Sequence, residues 1–470
     1  MFLRGGKVKK IIVFALLLPA LALAIYDMDT FDVNHWRTTF LNHGPWGYDP
    51  SIGTGFPGGS WPQPLHNCYV FGAGTWLGAV VGSSPPETLT TMFYNPNSAG
   101  SEGFPSLCRY WREGTGDARD RIYKYPGDWP PPASRFPMAP QVPRSDMDLW
   151  CCYCDSAPEN HVSPGRPLGF DVYQTVYGFD DSLAQDFFFL KYELANCSGD
   201  SLRRAFFGPV LDVDIGDAAD DLADVILDHV FTVGQETIGV RDLVFAFDNN
   251  NMENPGRTWE SGTPGTVAIA LLAAPDSLGL TAFKRFSIDI DPVTDADQYL
   301  TLAGYDYRTG VYKPYDSTDN YPADKRFVMP SGPFDIAPDS TVTFWYAVIG
   351  SPFGTAGQPP SERDTSDLVL RYKWALEFWR RLYPGIQETM NDERGTMTVG
   401  PTIVRGVLNL QSKTYNLQSE ISLLDVGGRK VMALRPGAND INRLSPGVYF
   451  VREGHAQAHA QAIRKVIISD

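Results

Sequence analysis

The amino-acid sequence predicts a mainly β protein: a large antiparallel β-sandwich body with one long helix, followed by a small Ig-like β-sandwich C-terminal domain. Three observations carry that prediction. The 470 residues hold 44 Gly and 37 Pro beside 22 Tyr and 27 Phe, a mixture of turn formers and strand formers. Apolar, partly alternating runs recur with turn residues between them and no regular interleaving of helices, which favours a sandwich over a parallel α/β sheet. Finally, the charge changes sign after Thr396, which marks a second module.

The charge also restricts partners. The formal value of −16 includes four cations before residue 25, so the rest carries −20. Residues 398–470 hold nine Lys or Arg against five Asp or Glu, leaving −24 on residues 25–397. An acidic body of this kind argues against nucleic acid and anionic lipid as partners. It remains compatible with cations, glycans and other proteins.

Arg4, Lys7, Lys9 and Lys10 precede the apolar run Ile11 to Ala20, and Ala22 and Ala24 stand three and one residues before a cut at Ile25. That is the order of a secretory signal peptide, residues 1–24. No later apolar run approaches the ~20 residues of a membrane span. The mature chain is therefore expected to be exported, with no transmembrane segment, and to end in the medium or on a cell surface.

Within the body, Asn67 to Gly82 reads as two short buried strands around the Gly72-Ala73-Gly74 bend, and Leu89 to Asn97 as a strand entering a turn. Tyr125 to Asp146 is too rich in Pro for a central strand and reads as a long surface loop or linker, so the body has a candidate subdivision near 125–167. Asp186 to Cys197, Arg241 to Asn250, Thr266 to Pro275 and Ser340 to Gly350 read as strands, each closed by turn residues. Asp364 to Gly385 is the one strong helix. It has capping residues at its start, Leu368, Tyr372, Ala375, Leu376, Trp379 and Tyr383 at helical spacing, and a stop at Pro384-Gly385. A helix laid against the sandwich is the expected use of that stripe, ahead of a partner-binding face.

The tail places six strands, Gly406 to Leu410, Ser419 to Asp425, Lys430 to Leu434, Ala438 to Ile441, Gly447 to Arg452 and Ile463 to Ile468, separated by Gly- and Pro-containing turns. Its sequence, ISLLDVGGRKVMAL, then NDINRLSPGVYFVRE, then RKVIISD, resembles the type A C-terminal sorting domain of the bacterial type IX secretion system. The resemblance covers the last seventy or so residues. It rests on Asp425, Gly428, Arg429, Lys430, Gly447, Tyr449, Arg464 and Lys465. It implies cargo that enters the periplasm, folds, crosses the outer membrane by way of the secretion machinery and commonly loses this tail. GHAQAHAQA, Gly454 to Ala462, departs from the short turn expected between the last two strands.

All six cysteines, Cys68, Cys108, Cys151, Cys152, Cys154 and Cys197, precede the tail. In an exported chain they read first as disulfides, with fifteen pairings open. WCCYCD, Trp150 to Asp155, also invites zinc, but its spacing is not that of paired CxxC knuckles.

The densest chemical feature is Leu211 to Asp228, where Asp212, Asp214, Asp217, Asp220, Asp221, Asp224 and Asp228 stand with no Lys or Arg among them. Packed carboxylates repel unless solvated, protonated or bridged by a hard cation such as calcium. Asp212, Asp214, Asp217, Asp220 and Asp221 are the candidate calcium ligands. The segment fails the EF-hand pattern, since Gly216 and Asp217 occupy its fifth and sixth places and Ala223 its twelfth. The turn Asp248 to Asn251 adds oxygens if the two loops meet.

HExxH, GxSxG, a Walker loop and GxGxxG after a strand are all missing from the sequence. The sequence thus points first to a non-catalytic adhesive or envelope protein. An extracellular hydrolase with a carboxylate pair and a glycan-binding module are the alternatives. For glycan binding, Trp36, Trp46, Tyr48 and Trp61 offer aromatic faces, although covering a core is their commoner use.

Overall fold

The computed structural model describes residues 26–47, 58–111, 117–162, 164–357 and 365–383, and in the tail 402–404, 407–410, 420–424, 429–435, 437–441, 443–445, 447–454 and 462–468. Residues 1–25, which include the expected signal peptide, and Tyr48, Asp425 and Gly428 lie outside them. The chain divides into two compact units, Met1–Phe378 and Trp379–Asp470.

The body begins with β1 (Met28–Phe31), β2 (Thr38–Leu41), β3 (Gly59–Ser60), β4 (Cys68–Val81) and β5 (Glu87–Met92), then a single helical turn, α1 (Cys108–Trp111). Next come β6 (Tyr123–Tyr125), β7 (Met147–Cys154), β8 (Phe170–Gly178), β9 (Phe187–Asn196), β10 (Leu202–Val213), β11 (Asp221–Val233), β12 (Glu236–Asp248) and β13 (Gly265–Ala273). After β14 (Lys284–Phe286), α2 (Asp295–Leu302), β15 (Tyr305–Asp306) and β16 (Val311–Tyr312), the body closes with β17 (Lys325–Val328), β18 (Ser331–Ile336), β19 (Thr341–Pro352) and α3 (Ser366–Leu382).

Two sheets carry this unit. One runs β14-β17-β10-β4-β3, with β18 on β10 and β5 on β4; the other runs β11-β12-β13-β19-β9-β8-β7-β6. All their pairings are antiparallel, so the mainly β, antiparallel class expected from the sequence is what the chain adopts. Their apolar faces share one core: Phe207 of β10 meets Phe344 of β19 at 4.7 Å and Tyr192 of β9 at 5.6 Å between ring centroids. Truncating such a residue to Ala typically costs about 3–5 kcal/mol.

β4 departs from the expected pair of short strands. It is continuous, because Gly72 and Gly74 let Tyr94 lie across the backbone where a Cβ would sit 2.3 Å and 2.6 Å from its side chain. The Pro-rich segment packs on the sheet rather than linking domains, with Phe136 and Ala139 buried beside Trp150 and Tyr123. α3 lies against the sandwich as expected: the Tyr372 hydroxyl donates to the Arg241 carbonyl (3.2 Å), and Phe378 packs on Phe187 at 5.7 Å.

In the second unit, β20 (Thr402–Val404), β21 (Val407–Leu410), β22 (Glu420–Leu424), β23 (Lys430–Leu434), β24 (Gly437–Asp440), β25 (Gly447–Gly454) and β26 (Ala462–Ile468) form a sheet β20-β26-β25-β22-β23 and a pair β21-β24. Leu423, Leu434, Ile441 and Val451 make its core. Only β20, which pairs in parallel with β26, is absent from the strands read in the sequence.

Candidate metal centre

The register of one hairpin assembles the acidic site. β11 and β12 pair from Val233↔Glu236 at the turn to Asp221↔Asp248 at the open end. The loop entering β11 and the turn leaving β12 are therefore held side by side, and Asn249 N–H donating to the Asp220 carbonyl (3.1 Å) extends the ladder into them. The two loops meet.

Asp220, Asp248 and Glu253 each bring a carboxylate oxygen within 4.8 Å of the other two. Asn250 joins them, donating from Nδ2 to Asp220 Oδ2 (2.7 Å) and from its backbone to Asp248 Oδ1 (2.9 Å). Asp217 N–H holds Glu253 Oε1 (3.0 Å). Gly216, at φ +73°, faces Glu253 so closely that a Cβ would lie 2.2 Å from its Cδ.

Three other oxygens of this group lack donors. Asp248 is fully buried and its Oδ2 has no hydrogen-bond partner; Asp220 and Asn250 are half-buried, and their Oδ1 atoms likewise have none. Asp221, also fully buried, accepts from Ile215 N–H at Oδ2 (3.1 Å) and leaves Oδ1 without a partner. Among the described residues no Lys or Arg ion-pairs with Asp220, Asp221, Asp248 or Glu253. Burial, then the neighbouring carboxylates, pushes Asp248 up to about 6 and Glu253 up to about 7, and drives Asp221 well above the usual carboxylate range. Orphaned and mutually repelling oxygens form a group that could hold a hard cation, which draws six to eight oxygen ligands, water included, and would displace the protons.

The five aspartates expected as one site divide. Asp212 and Asp214 gather instead with Asp324, again within 4.8 Å, and this group has its own cation. Arg326 Nε donates to Asp212 Oδ1 (3.0 Å), its NH1 reaches Asp291 Oδ2 (2.6 Å), and Tyr94 donates to Asp212 Oδ2 (3.0 Å). Asp214, farther from the guanidinium's help, is pushed up to about 8, chiefly by burial and then by Asp212 and Asp324. Asp217 is spent on local structure, its carboxylate accepting from Ala219 N–H (3.1 Å) to cap a one-turn helix. Of the sequence candidates, Asp220 belongs to the group with Asp248 and Glu253 that could hold a metal, with Asp221 buried beside it. Glu253 and Asp324 escaped sequence reading, because only the strand register and the sheet order bring them in.

The other expected sites fall as follows. All six cysteines carry free thiols: no disulfide is formed in this structure. WCCYCD is strand, so its side chains alternate: Cys151 enters the main core while Cys152 joins Trp150 beneath the Pro-rich segment. The run therefore cannot close on one zinc by itself. Trp36, Trp46 and Trp61 are buried core residues, not an exposed glycan platform. In the tail, Gly447 and Tyr449 lie on β25, Lys430 opens β23 just after Arg429, and Arg464 and Lys465 on β26 pair with Val451 and Phe450. Among the described residues no helix is long and apolar enough to cross a membrane.

No family model matches the sequence, and no curated protein matches it. Among solved structures, a chain titled polysaccharide lyase aligns at 9% identity over 66% of this chain and 36% of its own, with a TM-score of 0.20. This chain thus spans little more than a third of that protein, and a likeness of that degree carries no argument about activity.

Proposed function

We propose that this chain is an exported cargo protein of type IX secretion. Its acidic β-sandwich body is stiffened by calcium at Asp220, Asp248, Asn250 and Glu253, and it serves at the cell surface or in the medium by binding rather than by catalysis. The observation that carries the calcium part is the fully buried Asp248 with a donorless carboxylate oxygen, among acidic neighbours with which no Lys or Arg among the described residues ion-pairs. The tail sequence and the N-terminal leader pattern support the export part.

Two experiments test the two parts separately. Chelator-treated protein is melted with calcium, magnesium or zinc added back one at a time. Calcium alone should restore a higher Tm, and a Tm indifferent to calcium removes the metal reading. Terminal peptide mapping of protein recovered from its native cells should find a chain that starts near Ile25 and ends near Thr398 outside the outer membrane. A chain confined to the periplasm and still ending at Asp470 would remove the cargo reading.

A cleft of about 220 Å³ favours glycan binding as a second reading. Phe286, Tyr305, Tyr307, Arg308 and Lys313 line it, and Tyr305 packs against the exposed Tyr312 at 5.1 Å between centroids. Aromatic faces beside Arg308 and Lys313 suit an anionic sugar ring. The cleft's carboxylates, Asp306 and Asp316, pair with Arg308 and Lys284, which favours binding over hydrolysis. Uronate oligosaccharides should bind the protein and fail to bind Arg308→Ala. Silence across such a panel would close this reading.

A further inference from the structure

Three cysteines that lie far apart in sequence converge at one end of the eight-stranded sheet. Cys154 ends β7 and sits opposite Asp171 of β8, which sits opposite Ala195 of β9. Directly paired residues share a sheet face, and Cys197, two residues past Ala195, returns to it. Cys108, the first residue of α1, is brought over the same face because Phe104 and Cys154 exchange backbone hydrogen bonds at 2.7 and 3.0 Å.

The result is a compact group of soft and hard donors. Cys108 Sγ, Cys197 Sγ and an Asp171 carboxylate oxygen all lie within 4.8 Å of one another, and Cys154, paired across the strands with Asp171, stands next to this group. Cys197 Sγ donates to Asp171 Oδ2 at 3.3 Å. Two groups orient the donors: Cys108 N–H donates to Asp171 Oδ1 (2.7 Å), and the Ser156 hydroxyl donates to Cys108 Sγ (2.9 Å). Cys108, Cys154 and Asp171 are buried, and Cys197 stands at the surface as a point of entry. Among the described residues no base ion-pairs with Asp171.

We propose that Cys108, Cys197 and Asp171 form a three-ligand site for zinc or a similar borderline-soft divalent ion, with Cys154 beside it. Two sulfurs and one carboxylate oxygen suit such an ion, with the fourth position of a tetrahedral centre open to water. A Cys108–Cys197 disulfide would leave the buried Asp171 carboxylate uncompensated, whereas one divalent ion answers all three. On binding, each ligating thiol loses its proton to solvent as its sulfur bonds the metal, with no change of oxidation state. The Ser156 hydroxyl then donates to a sulfur that has become negative, as an outer partner should. The site ties α1 to β8 and to the end of β9. It shares no residue with the acidic centre, so either can fail without the other.

The test is elemental analysis of the full chain, purified without chelator, together with native alkylation by iodoacetamide. The proposal expects close to one zinc per chain, lost in Cys197→Ser, whose surface position makes it the mildest change. Cys197 should be shielded from alkylation until chelation, and zinc but not calcium should restore the shield. If Cys197→Ser folds poorly, Asp171→Asn with a wild-type far-ultraviolet spectrum should still lower zinc retention at least tenfold. Absence of zinc, or a non-reducing peptide map joining Cys108 to Cys197 or Cys154, overturns the proposal.

Discussion

Asp212 and Asp220 flank one short loop, yet the two acidic groups they belong to are neutralised in different ways. Around Asp212 the fold supplies its own counterion, Arg326, held between Asp212 and Asp291. Around Asp220 no Lys or Arg among the described residues pairs with the carboxylates, and buried oxygens of Asp220, Asp248 and Asn250 lack donors. The difference teaches that aspartate density by itself does not mark a metal site. What distinguishes the second group is the missing base and the unsatisfied oxygen, both visible only in three dimensions.

The largest effect should come from erasing that distinction. Arg326→Met leaves Asp212 and Asp291 buried without their partner. It should cost roughly 3–5 kcal/mol in urea unfolding, and it should make the Asp212, Asp214 and Asp324 group sensitive to added calcium. If stability is unchanged, the internal counterion is not what sets the two groups apart.

Next in size is calcium itself, which should stabilise the wild-type body by about 2.7 kcal/mol at a hundredfold excess over its Kd. Asp248→Asn should abolish that gain while leaving the Arg326 group as it was.

Acidity sharpens the comparison further. Asp248 and Glu253 titrate higher in the folded chain than their ordinary values of 3.8 and 4.5, at about 6 and about 7. Folding therefore retains protons that the unfolded chain has released. Their contribution is fully present below about pH 4 and is lost as pH rises toward 7. Melting without calcium should show this decline, and saturating calcium should flatten it. A calcium-free Tm attributable to this site that rises over the same range would contradict the assignment.

The smallest effect expected is that of Gly216→Ala. The new methyl group displaces Glu253 and occupies a left-handed backbone position. Calcium affinity should weaken roughly tenfold, or about 1.4 kcal/mol, with little change in stability when calcium is absent beyond the backbone strain.

How much of this was legible in the sequence follows from locality. The strands at 187–196, 265–273 and 341–352 announce themselves because their periodicity and turn residues are local. The tail strands do likewise, and so does the helix at 366–382. β11 hid behind its aspartates: Asp221 and Asp224 look like loop, yet they sit in a strand. Asp224 is buried there beside Arg285 (3.7 Å), a partner sixty residues on. The candidate site was half legible. Asp220 and the 248–251 turn were in view, but Glu253 enters only through the Asp221↔Asp248 register and the glycine at 216. The convergence of Cys108, Cys154 and Cys197 was invisible for the same reason, since it follows from strand order rather than spacing.

Calorimetric titration of calcium into wild-type and Asp248→Asn chains, run at pH 6.5 in two buffers of different ionisation enthalpy, tests the central claim most directly. The account predicts one saturable calcium site in the wild type, a buffer-dependent heat from released protons, and neither in Asp248→Asn. A wild type that takes up no calcium, or a variant that binds it equally well, would contradict the assignment of Asp220, Asp248 and Glu253 as the cation's seat.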